Sequence, residues 1–463
     1  PVAIETRLGW VLSGLVCSSS SESFSGRADS VGYHTMNCFA LTEKKDEVAE
    51  ALNKFWSLES LGIDAKEEDD QLQKFADDIV FDGKRYEVGL PFRDNHEEMA
   101  DNYNHCRTRL TSLLRKLRGD PKLREQYDQV MQEQLEGGVL EPVSGSPPGR
   151  GQVYYMPHFC VVREDKDTTK VRVVYDASAR VAGPSLNHCI HEGPSLITAI
   201  FNVLLRFRFF SIGLSADTEK AFHQISIKEQ DRNFLRVLWV DDVMAKDPRV
   251  VALRFTRCVF GVSSSPFHLN ATLRHHLGKY LQDHPTVVEN LKQSLYVDDV
   301  TAGVDTVDEG ISFFLTSRKI MDEGGFNLRK WATNCTQLAS VINSDMANCS
   351  PESDYLTFAS TTTQNIERPD GDQEQKVLGV LWDREHDELK FRFDGLLAAA
   401  KGIKFTKRGV LSLVAKNYDP LGLLSPLLTP LKVAFQNICK GGGSWDAPVD
   451  AEVESFVRKW LLQ

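Results

Sequence analysis

Ser294-Leu295-Tyr296-Val297-Asp298-Asp299-Val300-Thr301-Ala302 is an apolar, β-prone run interrupted by two acids. Adjacent strand residues face opposite ways, so an acid pair there is expected at a tight turn between two strands. A second stretch, Phe210-Ser211-Ile212-Gly213-Leu214-Ser215-Ala216, is a buried strand by the same criteria and ends on Asp217. Packed side by side, the strands would gather Asp217, Asp298 and Asp299 into one cluster. Hard oxygen ligands of this kind suit magnesium. Acid pairs are also common in exposed turns, and Asp241-Asp242 reads as one. Alone, Asp298-Asp299 favours that plainer reading; the second acid-ended strand argues against it.

Outward from these strands the periodicity predicts alternating elements. Apolar positions at helical spacing predict a helix over 94–118, broken by Gly119-Asp120-Pro121. A second runs from Leu123 to Leu135 and stops at Gly137-Gly138. Residues 139–142 read as extended, 154–163 and 170–176 as paired strands around a polar turn. Helices are expected over 197–209, 267–281 and 307–324, and an antiparallel pair over 234–240 and 251–255. Residues 1–16 read as a strand tail and 18–26 as a Ser-rich linker. Phe55, Trp56, Leu58, Leu61 and Ile63 form an apolar patch beside the acidic Glu67-Glu68-Asp69-Asp70.

The chain has 463 residues, 41% of them apolar, which allows several domains with a sizeable core. No apolar run approaches a membrane span. None of the nine cysteines forms a Cys-x-x-Cys pair, against a zinc site or a disulfide framework. The net charge of −11 runs against a nucleic-acid footprint. The acid is concentrated in 67–78 and 352–374, however, while Lys401, Lys404, Lys407 and Arg408 form a basic cluster. A local basic groove is compatible with an acidic whole.

Six motifs in order carry a resemblance. Tyr296-Val297-Asp298-Asp299 is similar to the signature of reverse transcriptases. Asp217-Thr218-Glu219-Lys220-Ala221-Phe222-His223-Gln224-Ile225 resembles their first catalytic motif. Phe260-Gly261-Val262-Ser263-Ser264-Ser265-Pro266-Phe267 resembles their nucleotide-positioning motif, with Phe260 where retroviral enzymes carry Gln. Lys170-Val171-Arg172-Val173-Val174-Tyr175-Asp176 resembles the fingers strand that meets the triphosphate. Gly325-Phe326-Asn327-Leu328-Arg329-Lys330 and Leu378-Gly379-Val380-Leu381-Trp382 resemble the following motif and the primer grip. More narrowly, the chain resembles the reverse transcriptase region of BEL/Pao-class long-terminal-repeat retrotransposon polyproteins. Leu8-Gly9-Trp10-Val11-Leu12-Ser13-Gly14 resembles the last strand of the class's aspartic protease. Tyr86-Glu87-Val88-Gly89-Leu90-Pro91-Phe92 and Asp419-Pro420-Leu421-Gly422-Leu423-Leu424-Ser425-Pro426 resemble its entry into the polymerase and the region after the thumb.

The resemblance implies an α+β, right-hand polymerase with fingers, palm and thumb, its antiparallel palm sheet backed by helices. It implies a protease remnant over 1–16, a linker and acidic segment over 17–84, fingers over 85–205 and palm over 206–345. A polar linker over 346–375, a primer grip over 376–400 and a thumb with the start of a connection over 401–463 complete the expectation. The implied reaction is attack of a primer 3′-hydroxyl on a deoxynucleoside triphosphate, templated by RNA or DNA, with two Mg²⁺ (or Mn²⁺) held by Asp217, Asp298 and Asp299. Arg172, assisted by Lys170, would clamp the triphosphate. Phe222 would exclude the ribose 2′-hydroxyl; ordinary core packing is the competing reading. Phe260 and Gly261 would meet the nucleotide. Lys330, with Arg329 as competitor, would serve as general acid toward pyrophosphate. Leu381 and Trp382 would grip the primer, unless Trp382 is core. Lys401, Lys404, Lys407 and Arg408 would meet the duplex backbone. Implied partners are template-primer, dNTPs and the rest of a polyprotein (protease, ribonuclease H, integrase), in the cytoplasm or in virus-like particles, with no membrane. The alternative is a catalytically inactive or domesticated fragment that keeps the fold and binds nucleic acid. No Asp-Ser/Thr-Gly triplet is present, against peptide cleavage by that route.

Overall fold

The computed structural model describes residues 2–6, 9–13, 65–144, 149, 151–162, 171–348 and 374–461. Lys170, the 55–63 patch and most of the two expected linkers lie outside these. The chain divides into units 1–70 and 71–463. In the first, β1 (Val2–Thr6) and β2 (Gly9–Ser13) form an antiparallel hairpin, where a single strand tail was expected.

The larger unit is mixed α and β. Helix α1 (Ala65–Asp78) leads into it, and the short strands β3 (Val80–Phe81) and β4 (Tyr86–Val88) follow. Next come α2 (Tyr103–Arg118) and α3 (Pro121–Glu136). The expected helix over 94–118 starts nine residues late. Asn102 is committed elsewhere, donating through Nδ2 to the Tyr155 carbonyl (2.7 Å) and accepting from the Tyr155 amide (2.9 Å). Asp120 caps α3 by accepting from the Leu123 amide at 3.0 Å, and Pro121 sits where its missing N–H costs nothing. β5 (Leu140–Pro142), β6 (His158–Val162) and β7 (Val171–Tyr175) follow, the last two paired as a ribbon. A single turn, α4 (Leu186–Cys189), precedes α5 (Ile200–Phe209).

The central sheet has the order β12-β13-β8-β14, all antiparallel. Its strands are β8 (Ile212–Thr218), β12 (Leu295–Tyr296), β13 (Asp299–Val304) and β14 (Leu328–Thr333). Between them lie β9 (Ser226–Ile227), β10 (Arg236–Val240), β11 (Val250–Phe255), α6 (Ser265–Gly278) and α7 (Pro285–Ser294). α8 (Val307–Glu323) joins β13 to β14, opened by a capping box of Thr306 and Glu309.

Alternation sorts the sheet's faces. Leu214 and Ala216 of β8 and Val300, Ala302 and Val304 of β13 enter the main core with Phe313 and Phe314 of α8. The opposite face carries Gly213, Ser215 and Asp217, paired across the ladder with Gly303, Thr301 and Asp299. The two glycines form a notch. A β-carbon at 213 would stand 2.6 Å from the Phe207 ring and 3.1 Å from Trp382, and one at 303 would stand 2.6 Å from Phe210. Aromatic rings therefore cover one end of this face, and the acids occupy the other.

After α9 (Thr336–Asn348), strands β15 (Glu374–Val377), β16 (Val380–Asp383) and β17 (Glu388–Lys390) form a small sheet. Helices α10 (Asp394–Lys401), α11 (Lys407–Ala415), α12 (Ser425–Lys440) and α13 (Ala451–Trp460) share a separate core of Leu396, Val410, Leu413, Leu431, Val457 and Trp460. None of the described helices is long and apolar enough to cross a membrane.

Candidate active site

β12 and β13 are joined by a two-residue turn, Val297-Asp298, with Tyr296 opposite Asp299. Val297 has φ +57°, a left-handed backbone that a β-branched residue resists at a cost of order 1–3 kcal/mol. Asp298 thus sits in the turn and Asp299 opens the next strand, directly opposite Asp217. The Asp298 carbonyl accepts from the Thr218 amide (2.8 Å), tying the turn to β8. β8 runs one residue past Asp217, so this acid lies within the ladder rather than at its end.

Like charges converge here. Burial first, and then the neighbouring Asp298 and Asp217, push the Asp299 carboxyl up to about 6. Asp298 is also raised, first by burial and then by Asp217, while Lys330 and Arg172 act the other way. Lys330 reaches the group through a bulge. The β14–β8 register shifts between Arg329 and Ala332, Lys330 has φ +55°, and its Nζ donates to Asp217 Oδ2 at 3.0 Å. Arg329, opposite Asp217 in the ladder, instead pairs with Glu219 at 2.9 Å. Among the described residues no three His, Cys, Asp or Glu side chains are drawn together as a ready metal-binding set. The donor chemistry nevertheless suits a hard cation, because burial and then neighbouring negative charge already disfavour the ionised Asp298 and Asp299 carboxylates, and a cation would relieve both.

Phe222 is buried on a 3₁₀ turn over Ala221–Gln224, edge-on to Phe260 with ring centroids 4.3 Å apart. Phe260 is 59% exposed, so the pair has a solvent-facing side. Gly261 has φ +99°, and a β-carbon there would stand 2.1 Å from the Tyr175 carbonyl oxygen; no other residue fits. Asn187 clamps the same loop, donating to the Gly261 carbonyl and accepting from the Ser263 amide, both at 2.9 Å. The loop is thereby held against β7, the strand that carries Arg172.

Two groups of expected residues stand differently. Trp382 is fully buried, edge-on to Phe207 at 4.8 Å, and its indole N–H donates to Asp387 at 2.9 Å. Its ring is core, and Leu381 beside it is buried too. Both residues of the hairpin's turn, Leu378 and Gly379, have positive φ; the Leu378 side chain is buried in the core and Gly379 is exposed. The basic quartet is not one exposed patch. Lys407 is buried, donating to the Gly442 carbonyl (2.9 Å) beneath Trp445, and Arg408 forms a two-pronged pair with Asp446 (2.8 and 3.1 Å). Only Lys401 and Lys404 face solvent without such ties.

One residue near the site escaped the sequence reading. Tyr418 stands against Gly379, where a β-carbon would meet its ring at 2.7 Å, and its hydroxyl feels the Tyr296 hydroxyl. The signal was the quoted Asp419 to Pro426 motif: Asp419 fixes it by accepting from the Leu423 (2.9 Å) and Leu424 (2.7 Å) amides.

Residues 406–463 match a family described as the Pao retrotransposon-like RNaseH-like domain. The C-terminal segment is retroelement-like. No curated protein matches the chain. Among solved structures, the foamy viral protease-reverse transcriptase with an RNA/DNA hybrid is 14% identical, at a TM-score of 0.44, over 93% of this chain and 47% of that one. The same protein with dsDNA is 15% identical at 0.44, over 73% of this chain and 56% of that one. Its dRH form with dsDNA is 15% identical at 0.41, over 73% and 47%. The chain spans about half the length of the structures it matches.

Proposed function

We propose that this chain is the reverse transcriptase portion of a retroelement polyprotein, of the BEL/Pao class, adding deoxynucleotides to a primer on RNA or DNA. The observation that carries the reading is Asp217 opposed to Asp299 across one ladder, with Asp298 in the adjoining turn and Lys330 bulged onto the group. The central sheet would be the palm, the β6–β7 ribbon part of the fingers, the β15–β16 hairpin the primer grip and helices α10 to α13 the thumb region.

Asp217, Asp298 and Asp299 would hold two magnesium ions, which when bound supply an acidified primer hydroxyl and a charge sink for the transferring phosphate. The residues themselves account for the rest. Arg172 presents a guanidinium fork toward a triphosphate. The Phe222–Phe260 pair walls the sugar. Lys330, freed from Asp217, donates a proton from Nζ toward leaving pyrophosphate. The primer meets the β15–β16 hairpin at its exposed Gly379 rather than at the Trp382 ring.

A nuclease reading is favoured by the family match over 406–463. Its acids are largely occupied, however: Asp419 caps backbone amides, Asp446 pairs with Arg408, and Glu454 with Arg458 at 2.7 Å. Extension of a primer on an RNA template with magnesium is the test. Extension without cleavage of the RNA strand is expected. Cleavage without extension would establish the nuclease, and neither activity the inactive relic.

A further inference from the structure

The densest apolar stretch of the sequence, 203–210, has arginines set into it, and the proposed reaction uses none of them. On the outer side of α5 lies a groove of about 650 Å³ between that helix, α6 and α7. Arg206, Arg274 and Lys292 line it with Phe209, Phe210 and Leu205, and no carboxylate does. In a chain of net charge −11 this is a local reversal of sign.

Its cations are available. Arg206 donates to the side-chain oxygen of Gln293, and Arg274 to the Leu196 carbonyl at 2.6 Å. Neither forms an ion pair among the described residues. Among the described residues Lys292 pairs only with Glu289, three residues away at 3.4 Å, the kind of surface pair worth little. The apolar component is equally open. Phe201, Leu205 and Phe209 recur every four residues along one stripe of α5, and Phe209 is 77% exposed. A large ring left this bare beside three cations marks a contact surface.

The groove is separate from the acids. Phe210 covers Gly303, four residues along β13 from Asp299, or roughly 13 Å at the rise of a strand. Spaced cations select a polyanion. An exposed ring among them adds stacking, which requires bases whose faces are free, as they are in a single strand and not in a duplex.

We infer that this groove is a second nucleic-acid site that holds a single strand, with phosphates on Arg206, Arg274 and Lys292 and a base stacked on Phe209. It goes beyond the polymerase reading and does not depend on it. The test uses the full chain, fluorescein-labelled (dT)₁₂ and a blunt 12-base-pair duplex, with anisotropy titrations across a salt series. Phe209→Ala should weaken (dT)₁₂ binding about 5- to 100-fold, the range of one lost base stack. Arg274→Gln should lower the salt slope by about one phosphate contact. Duplex affinity and melting temperature should stay at parent values, since both side chains are exposed. Unchanged (dT)₁₂ affinity in Phe209→Ala overturns the inference, as does an equal loss for the duplex. Polyglutamate is the other arm: if it displaces (dT)₁₂ at equal charge and loses as much affinity in Phe209→Ala, the groove takes an acidic protein segment instead. A parent that extends no primer while Phe209→Ala still loses (dT)₁₂ leaves this site standing and removes the polymerase reading alone.

Discussion

The central sheet and the C-terminal helices treat their charges in opposite ways. In the helical region several ions are satisfied internally: Arg408 by Asp446, Arg458 by Glu454, Lys407 by backbone carbonyls. In the sheet Asp217 and Asp299 face each other across the ladder with Asp298 in the adjoining turn, the last two hold their protons more tightly than ordinary carboxyls, and Lys330 offsets Asp217. One region uses charge to hold itself together; the other keeps charge uncompensated, at a cost to stability, where a cation or phosphate would be met. Unsatisfied like charges beside a strained turn mark function better than an excess of basic residues does.

The contrast predicts different failures. Asp298→Asn should lower primer extension by roughly 10²–10³-fold or more, since its role is to stabilise charge in the transition state. Template-primer affinity and the thermal melt should be nearly unchanged; extension at the parent rate would remove Asp298 from the chemistry. Lys407→Ala should do the reverse. It should lower stability by about 1–3 kcal/mol by removing a buried side chain and its charge-assisted hydrogen bonds to the Gly442 and Gly443 carbonyls, and leave the salt dependence of duplex binding as it is. A shallower salt slope in folded Lys407→Ala would restore the residue to a phosphate-binding patch.

Phe222→Ala should raise ribonucleotide over deoxynucleotide incorporation by roughly 10–100-fold, the range a steric pocket supplies. The side chain is also core, so the ratio, measured on folded enzyme, is the deciding quantity. An unchanged ratio would leave packing as its whole role. The smallest effect is at Asp299. Its folded carboxyl is raised to about 6 from an ordinary value of 3.8, so the folded state binds the proton more tightly. Stability is therefore lost as pH rises between these values, and the loss is complete above about 6. Asp299→Asn should melt higher than the parent at pH 7.5, and the gain should fade as the pH is lowered through 6 toward 4. A gain that does not vary with pH would mean that the carboxyl is not the source.

Much of this was legible in the sequence because period-2 alternation and turn chemistry act locally. The strands around Asp217 and Asp298, the ribbon of Arg172 and the Gly137 stop all announce themselves within a few residues. What was illegible depends on distant partners. Lys407 read as a surface charge because the carbonyl that buries it is 35 residues away at Gly442. The helix over 94–118 begins late because Asn102 is claimed by Tyr155. Helix α7 was overlooked because its ten residues bury only Val288, Leu291 and Ser294, too few to declare a period. The position of Tyr418 depends on Gly379, and no local pattern links the two.

The facing glycines at 213 and 303 bear on engineering. Replacing glycine by alanine in a strand is a routine route to thermostability, since it restricts the unfolded chain. At this notch the rule inverts. One added methyl would lift Phe207 and Trp382, or Phe210, off the sheet, and with them the hairpin whose turn Tyr418 abuts. A stabilisation campaign should leave these two positions untouched, and a selection for conditional alleles should begin with them.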